Sequence, residues 1–147
     1  MQNHTVLGAE CLAAICERLG ENNFLAMARE IALCHHERWD GTGYPHGLVG
    51  EDIPLAARIV AVADIYDAAC TARVYKPAKS HEVVCDLIAS FRGVKLDPQV
   101  VDAFLAVEDE FRRTLEVELQ STAPEDPVDS TDSDVEDTRL CAASAVN

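Results

Sequence analysis

The sequence is poor in aromatic rings and in positive charge, and it has no long apolar run. Phe, Trp and Tyr make up only 5 % of its 147 residues. A core must therefore rest on Ala, Val, Leu and Ile, and the Ala- and Leu-rich stretches that carry them favour helix. Asp and Glu number 26 against 12 Lys and Arg, with no basic stripe, which argues against duplex nucleic acid as a partner. No apolar segment approaches the roughly 20 residues of a membrane helix. No basic-then-apolar leader opens the sequence, so the expectation is a soluble, cytoplasmic protein with no membrane partner. Cys11, Cys16, Cys34, Cys70, Cys85 and Cys141 are dispersed and form no CxxC pair. That argues against a zinc ribbon or a disulfide framework and leaves buried, reduced thiols acting as small hydrophobes.

What is present is one domain's worth of helical pattern. Apolar residues at 6, 7, 12, 15 and 19 predict an amphipathic helix over 5–19, stopped by Gly20. A second helix is expected over 23–36, with Phe24, Leu25, Met27, Ile31 and Leu33 inward. Periodicity fails from 37 to 54, where four glycines and two prolines mark a long loop. Pro54 opens a third helix over 55–73. Ser80 caps a fourth that ends at Phe91–Gly93. Asp97 and Pro98 start a fifth, running to about Gln120. Residues 121–147 hold seven acids and one base with little to bury, which predicts a disordered acidic tail after a domain spanning 1–120. The fold class is all-α.

Within the loop lies CHHERWDGTGYPHGL, residues 34–48. Successive helical residues point about 100° apart, so His35 and His36 would not stack on one ion as ligands four residues apart do. The doublet suits two neighbouring ions, or an ion and a phosphate, and structural hydrogen bonding is the competing account. Asp64 lies among apolar neighbours in RIVAVADIYDAA and is expected to be buried, where an unpaired carboxylate costs several kcal/mol, as an order of magnitude. Either Arg58 or Arg73 neutralises it and Asp67, which lies one turn on, or a metal of the Mn, Fe or Zn kind does.

The stretch HHERWDGTGYPHGLVGEDIPLAARIVAVADIYDAACTARVYK resembles the signature of the HD-GYP family. HTVLGAECL before it and GVKLDPQVVDAFL after it extend the resemblance over residues 1 to about 107. The family's members are all-α, metal-dependent phosphodiesterases of the HD superfamily that hydrolyse the bacterial second messenger cyclic di-GMP. The resemblance implies His4, His35, His36 and Asp64 as metal ligands, with no catalytic group beyond them. It implies Gly43, Tyr44, Pro45, Asp67, Arg73 and Lys76 as substrate-binding positions. Cyclic di-GMP would be the ligand, a binuclear centre of Fe, Mn or a similar divalent transition metal the cofactor, and other signalling domains or a second copy of the chain the partners.

One element of that pattern is missing. The family's adjacent His-Asp pair, whose aspartate bridges the two metals, occurs nowhere in the sequence. Met1 reads as an internal methionine of the family's domain, and the chain as its C-terminal portion. The expectation is one tightly held metal at most, a phosphodiesterase impaired as an isolated chain, and exposed apolar surface on the helices over 5–19 and 55–73. The alternative is a non-catalytic module for nucleotide sensing or protein docking.

Overall fold

The computed structural model describes residues 3–20, 22–72 and 77–121, with side chains through residue 117. Among them are six α-helices and no strand: α1 (Asn3–Leu19), α2 (Asn23–Cys34), α3 (Leu55–Cys70), α4 (His81–Ser90), α5 (Pro98–Ala106) and α6 (Glu108–Ser121). Gly20 adopts φ +83° after α1, a conformation open to glycine at no steric cost. Asn22 then accepts a hydrogen bond from Leu25 N at 2.9 Å and caps α2, so α1 and α2 form a hairpin. No helix among the described residues is long and apolar enough to cross a membrane.

α3 is the central element, packing against α2, α4 and α5. Val62, Tyr66, Ala69 and Cys70 on α3 meet Val84, Cys85 and Ile88 on α4, and Val101 and Phe104 on α5. A smaller cluster, Cys34, Ile53 and Ala57, ties the end of α2 to the start of α3. With so few aromatics, those present are concentrated. Tyr66 stands 5.7 Å from Phe104 and 5.3 Å from Phe111, ring centre to ring centre, a spacing at which edge-to-face packing adds about 1 kcal/mol to burial.

Three expected helices have different bounds. α2 stops at Cys34 and α3 at Cys70, where Thr71 turns extended (φ −90°, ψ 128°). The single helix expected over 98–120 is two. Val107 leaves helical geometry (φ −125°, ψ 16°), and the turn brings Phe111 against Tyr66 and Phe104. Pro54 caps α3 from outside its first turn. Of the apolar positions expected inward, Leu7, Leu19 and Phe24 are 58 %, 77 % and 71 % exposed, with Val6, Ile15 and Met27 also open. The described helices leave those faces uncovered because α1 packs on α2 alone among its substantial contacts. Leu55 and Ile59 on α3 are exposed as well. Cys11 is exposed, whereas Cys34, Cys70 and Cys85 are buried; Cys141 and the expected acidic tail lie outside the described residues.

Asp97 joins several of these elements. Its carboxylate is 1 % exposed, accepts from Arg58 Nη1 at 2.6 Å and caps α5 by accepting from Gln99 N at 2.7 Å. Arg58 Nε also donates to Ile53 O at 2.8 Å, so one guanidinium fixes the entry to α3 and the start of α5. Breaking a buried pair leaves a charge uncompensated. Asp97→Ala is expected to destabilise the protein by about 3 kcal/mol, read as a lower urea midpoint with an unchanged slope.

Candidate metal centre

Three of the expected ligands converge. His4, in the first turn of α1, and His35 and His36, just past α2, place one ligand atom each within 4.8 Å of one another. Their ring centres are 4.2 Å (His35–His36), 4.9 Å (His4–His36) and 5.6 Å (His4–His35) apart. α2 ends at Cys34 with His35 as its αR cap, and the two imidazoles nonetheless bring ligand atoms to a common point with His4. His35 Nδ1 stands 2.9 Å from Ile31 O and 3.1 Å from Ala32 O. A carbonyl only accepts, so Nδ1 carries a proton, which leaves Nε2 as the nitrogen that would face an ion, an arrangement common in ligating histidines. Burial lowers the His36 pKa, and the neighbouring His35 and His4 lower it further against the opposing pull of Asp64. That favours the neutral imidazole, the form that binds a metal.

Asp64 is exposed rather than buried. Its carboxylate lines an open cavity of about 420 Å³ together with His35, His36, Gly43 and Tyr44. The Arg58 pairing considered for it does not form, since that guanidinium is taken by Asp97. Exposure removes the desolvation argument for a cation at Asp64, but the acid still faces the imidazoles. Asp67 lines a different groove, with Tyr66, Glu110 and Phe111, and receives a long hydrogen bond from Thr71 Oγ1 at 3.4 Å. Arg73 and Lys76 lie outside the described residues.

The loop over the cavity is held by a residue to which sequence reasoning gave no role. Glu37 is 4 % exposed, and its carboxylate accepts from His46 N at 2.7 Å and Leu48 N at 3.1 Å. The motif HHE offered a signal, since a lone acid before a Gly-rich loop is suited to collect such N–H groups. Trp39 N and Asp40 N donate to Lys95 O and Val94 O, docking the loop on the turn between α4 and α5. Asp40 accepts from Arg38 and from Thr42, and these bonds hold its carboxyl well below the usual carboxylate range. The Tyr44–Pro45 peptide is cis, and the Tyr44 ring lies 5.0 Å from that of His36. Arg38 and Lys95 line the cavity too, two cations also missed, although Lys95 stands in the quoted GVKLDP element.

Gly43 is the tightest point. A Cβ there would run into the backbone of Glu37 and Arg38, atoms that yield little, whereas one on Gly8 in α1 meets only Ala32 Cβ at 3.6 Å. Gly43→Ala is expected to cost roughly 1–3 kcal/mol and to shift the NMR signals of His36 and Tyr44. Gly8→Ala should leave stability unchanged or raise it by up to about 1 kcal/mol. Equal effects of the two in denaturant titrations would contradict the close approach.

The donor set, three imidazoles with a carboxylate nearby, fits a divalent transition metal. Comparison with known proteins bears on what such a site belongs to. The model of a family described as HD domain matches residues 1–100. A cyclic di-GMP phosphodiesterase of Vibrio cholerae is 55 % identical over 111 residues, covering 76 % of this chain and 23 % of that protein. The cyclic di-GMP phosphodiesterase response regulator RpfG of Xanthomonas campestris is 48 % identical over 105 residues, covering 71 % and 26 %. The chain thus spans about a quarter of the length of these relatives. A crystal structure of a cyclic GMP-AMP specific phosphodiesterase of V. cholerae superposes with a TM-score of 0.52 at 23 % identity, over 75 % of this chain and 24 % of that one, a likeness of fold. Taken with the histidine doublet and the GYP loop folded onto one cavity, these matches show that the chain belongs to the HD domain family and to its HD-GYP type.

Proposed function

We propose that this chain carries part of the active site of a metal-dependent phosphodiesterase acting on cyclic di-GMP. The observation that carries the reading is the convergence of His4 on His35 and His36, the latter two lining an open cavity. The names of the relatives supply the substrate class. His4, His35 and His36 would hold the ion, with Asp64 completing the set across the cavity. A bound divalent metal of the Mn or Fe kind supplies Lewis acidity toward a phosphoryl oxygen and a hydroxide nucleophile near neutral pH.

The chain's own groups do the rest. Nδ1–H of His35, tied to the α2 carbonyls, aims the opposite nitrogen into the site. Tyr44 offers a ring face at the cavity for a base to stack on, a contact worth roughly 1–3 kcal/mol per base. Lys95 brings a point charge to the cavity of an otherwise acidic protein, where an anionic dinucleotide needs it, while the charge of Arg38 is balanced by Asp40. Arg73 and Lys76 are proposed to contact guanine and phosphate, the former as a planar fork and the latter as a point charge. Asp67, on the other groove, is proposed to act beside them.

No His-Asp pair is present to bridge two ions, so one ion is the expected occupancy and turnover should be slow. Supplied with Mn²⁺, the chain should retain one equivalent by elemental analysis and release the linear dinucleotide from cyclic di-GMP. In His36→Ala, metal affinity should fall by a factor of ten or more, with turnover at background. Unchanged metal uptake in that variant, or neither uptake nor turnover in the parent, would overturn the reading.

A further inference from the structure

A second cluster of metal-ligating side chains lies on elements that the histidine cluster does not use. His81 and Cys85 stand four residues apart on α4, the spacing that stacks two side chains on one helix face. Glu108 opens α6, directly after the break at Val107. One ligand atom from each of the three lies within 4.8 Å of the others. Cys85 Sγ is 3.5 Å from His81 Nε2. Zinc–sulfur and zinc–nitrogen bonds of about 2.3 and 2.05 Å, opened to a tetrahedral angle, put the two donor atoms about 3.6 Å apart. Sγ also stands 3.8 Å from His81 Nδ1, so it lies over the ring, and a shared ion requires the imidazole to turn its nitrogen toward the sulfur.

The other face of the ring is also prepared. His81 Nδ1 lies 2.9 Å from the Tyr66 hydroxyl, and Tyr66 is buried among Phe104 and Phe111. Where Nδ1–H is the donor to that hydroxyl, the lone pair is on Nε2, the tautomer that a metal needs. Cys85 is 7 % exposed, while His81 and Glu108 are half-buried, so the cluster sits at the core's edge with a path to solvent for a fourth ligand.

We propose that His81, Cys85 and Glu108 form a binding site for one divalent ion of borderline softness, Zn²⁺ by its nitrogen–sulfur–oxygen donor set, with solvent as the fourth ligand. Binding replaces the Cys85 thiol proton, which passes to solvent, so that a thiolate–metal bond forms as the S–H bond breaks. The site bridges α4 and α6, so a bound ion ties α6 to the bundle. Without the ion the same groups pair among themselves, with no buried side-chain polar atom left unsatisfied among the described residues.

Co²⁺ is the probe, because a thiolate ligand gives it a near-ultraviolet charge-transfer band that an all-imidazole site does not. The full chain, stripped with chelator, is titrated with Co²⁺ under reducing conditions. The band should appear, survive in His36→Ala, vanish in Cys85→Ser, and bleach when Zn²⁺ is added. Its absence in the parent, or its survival in Cys85→Ser, would overturn the proposal. Should Cys85→Ser not fold, Glu108→Gln decides: it should weaken Co²⁺ binding at least tenfold with an unchanged helical circular-dichroism spectrum, and unchanged affinity would overturn the site.

Discussion

The site depends on one buried carboxylate. Glu37 follows His36 directly and turns into the protein, where it accepts from two backbone N–H groups of the far limb of the loop. Charge-assisted bonds of this kind are roughly twice as strong as neutral ones, and a carboxylate this deeply buried needs such partners. They cinch residues 38–48 into a closed loop whose Gly43 passes against the Glu37 backbone. Tyr44 consequently lies beside His36 and faces the cavity shared with Asp64. The end of α2, the loop and the histidine pair are fixed together.

Much of this was legible in the sequence, and the parts that were not have physical reasons. Local signals read well: Asn23–Cys34, Leu55–Cys70 and His81–Ser90 fall within two or three residues of the helices expected from periodicity, glycine and proline. The all-α class and the grouping of His4 with the histidine doublet are as expected. The break at Val107 was not visible, since valine is not a helix-stop residue and the turn is set by the packing of Phe111 on distant rings. The exposure of Asp64 was misread because apolar neighbours in sequence do not report which faces of a helix are covered. The approach of His35 and His36 to a common point with His4 was out of reach because the 100° rule fixes where side chains leave a helix, not where their ring nitrogens end. The pairing of His81 with Cys85 and Glu108 was out of reach because it joins helices some 20 residues apart in sequence through a turn that periodicity did not reveal.

Charge gives the site its character. The protein is strongly acidic, and the cavity carries Asp64 among its lining groups. A phosphate ligand would meet repulsion there unless cations offset it. Arg38 is already engaged by Asp40, and Lys95 stands over the Phe91 ring at 4.5 Å. The electrostatics of the site therefore turn on the ion that the histidines are placed to hold. This is consistent with a neutral His36, whose depressed pKa leaves its lone pair available.

The central claim is that the three imidazoles act together on one ion. Anomalous diffraction at the manganese edge, from crystals of the full chain grown with Mn²⁺, tests it most directly. Manganese favours oxygen and nitrogen donors over thiolate, so the cysteine-containing cluster should not compete. The account predicts a single strong peak within direct coordination distance of His4, His35 and His36. A peak that contacts none of them, or an ion bound by the loop carboxylates with the imidazoles turned away, would contradict it.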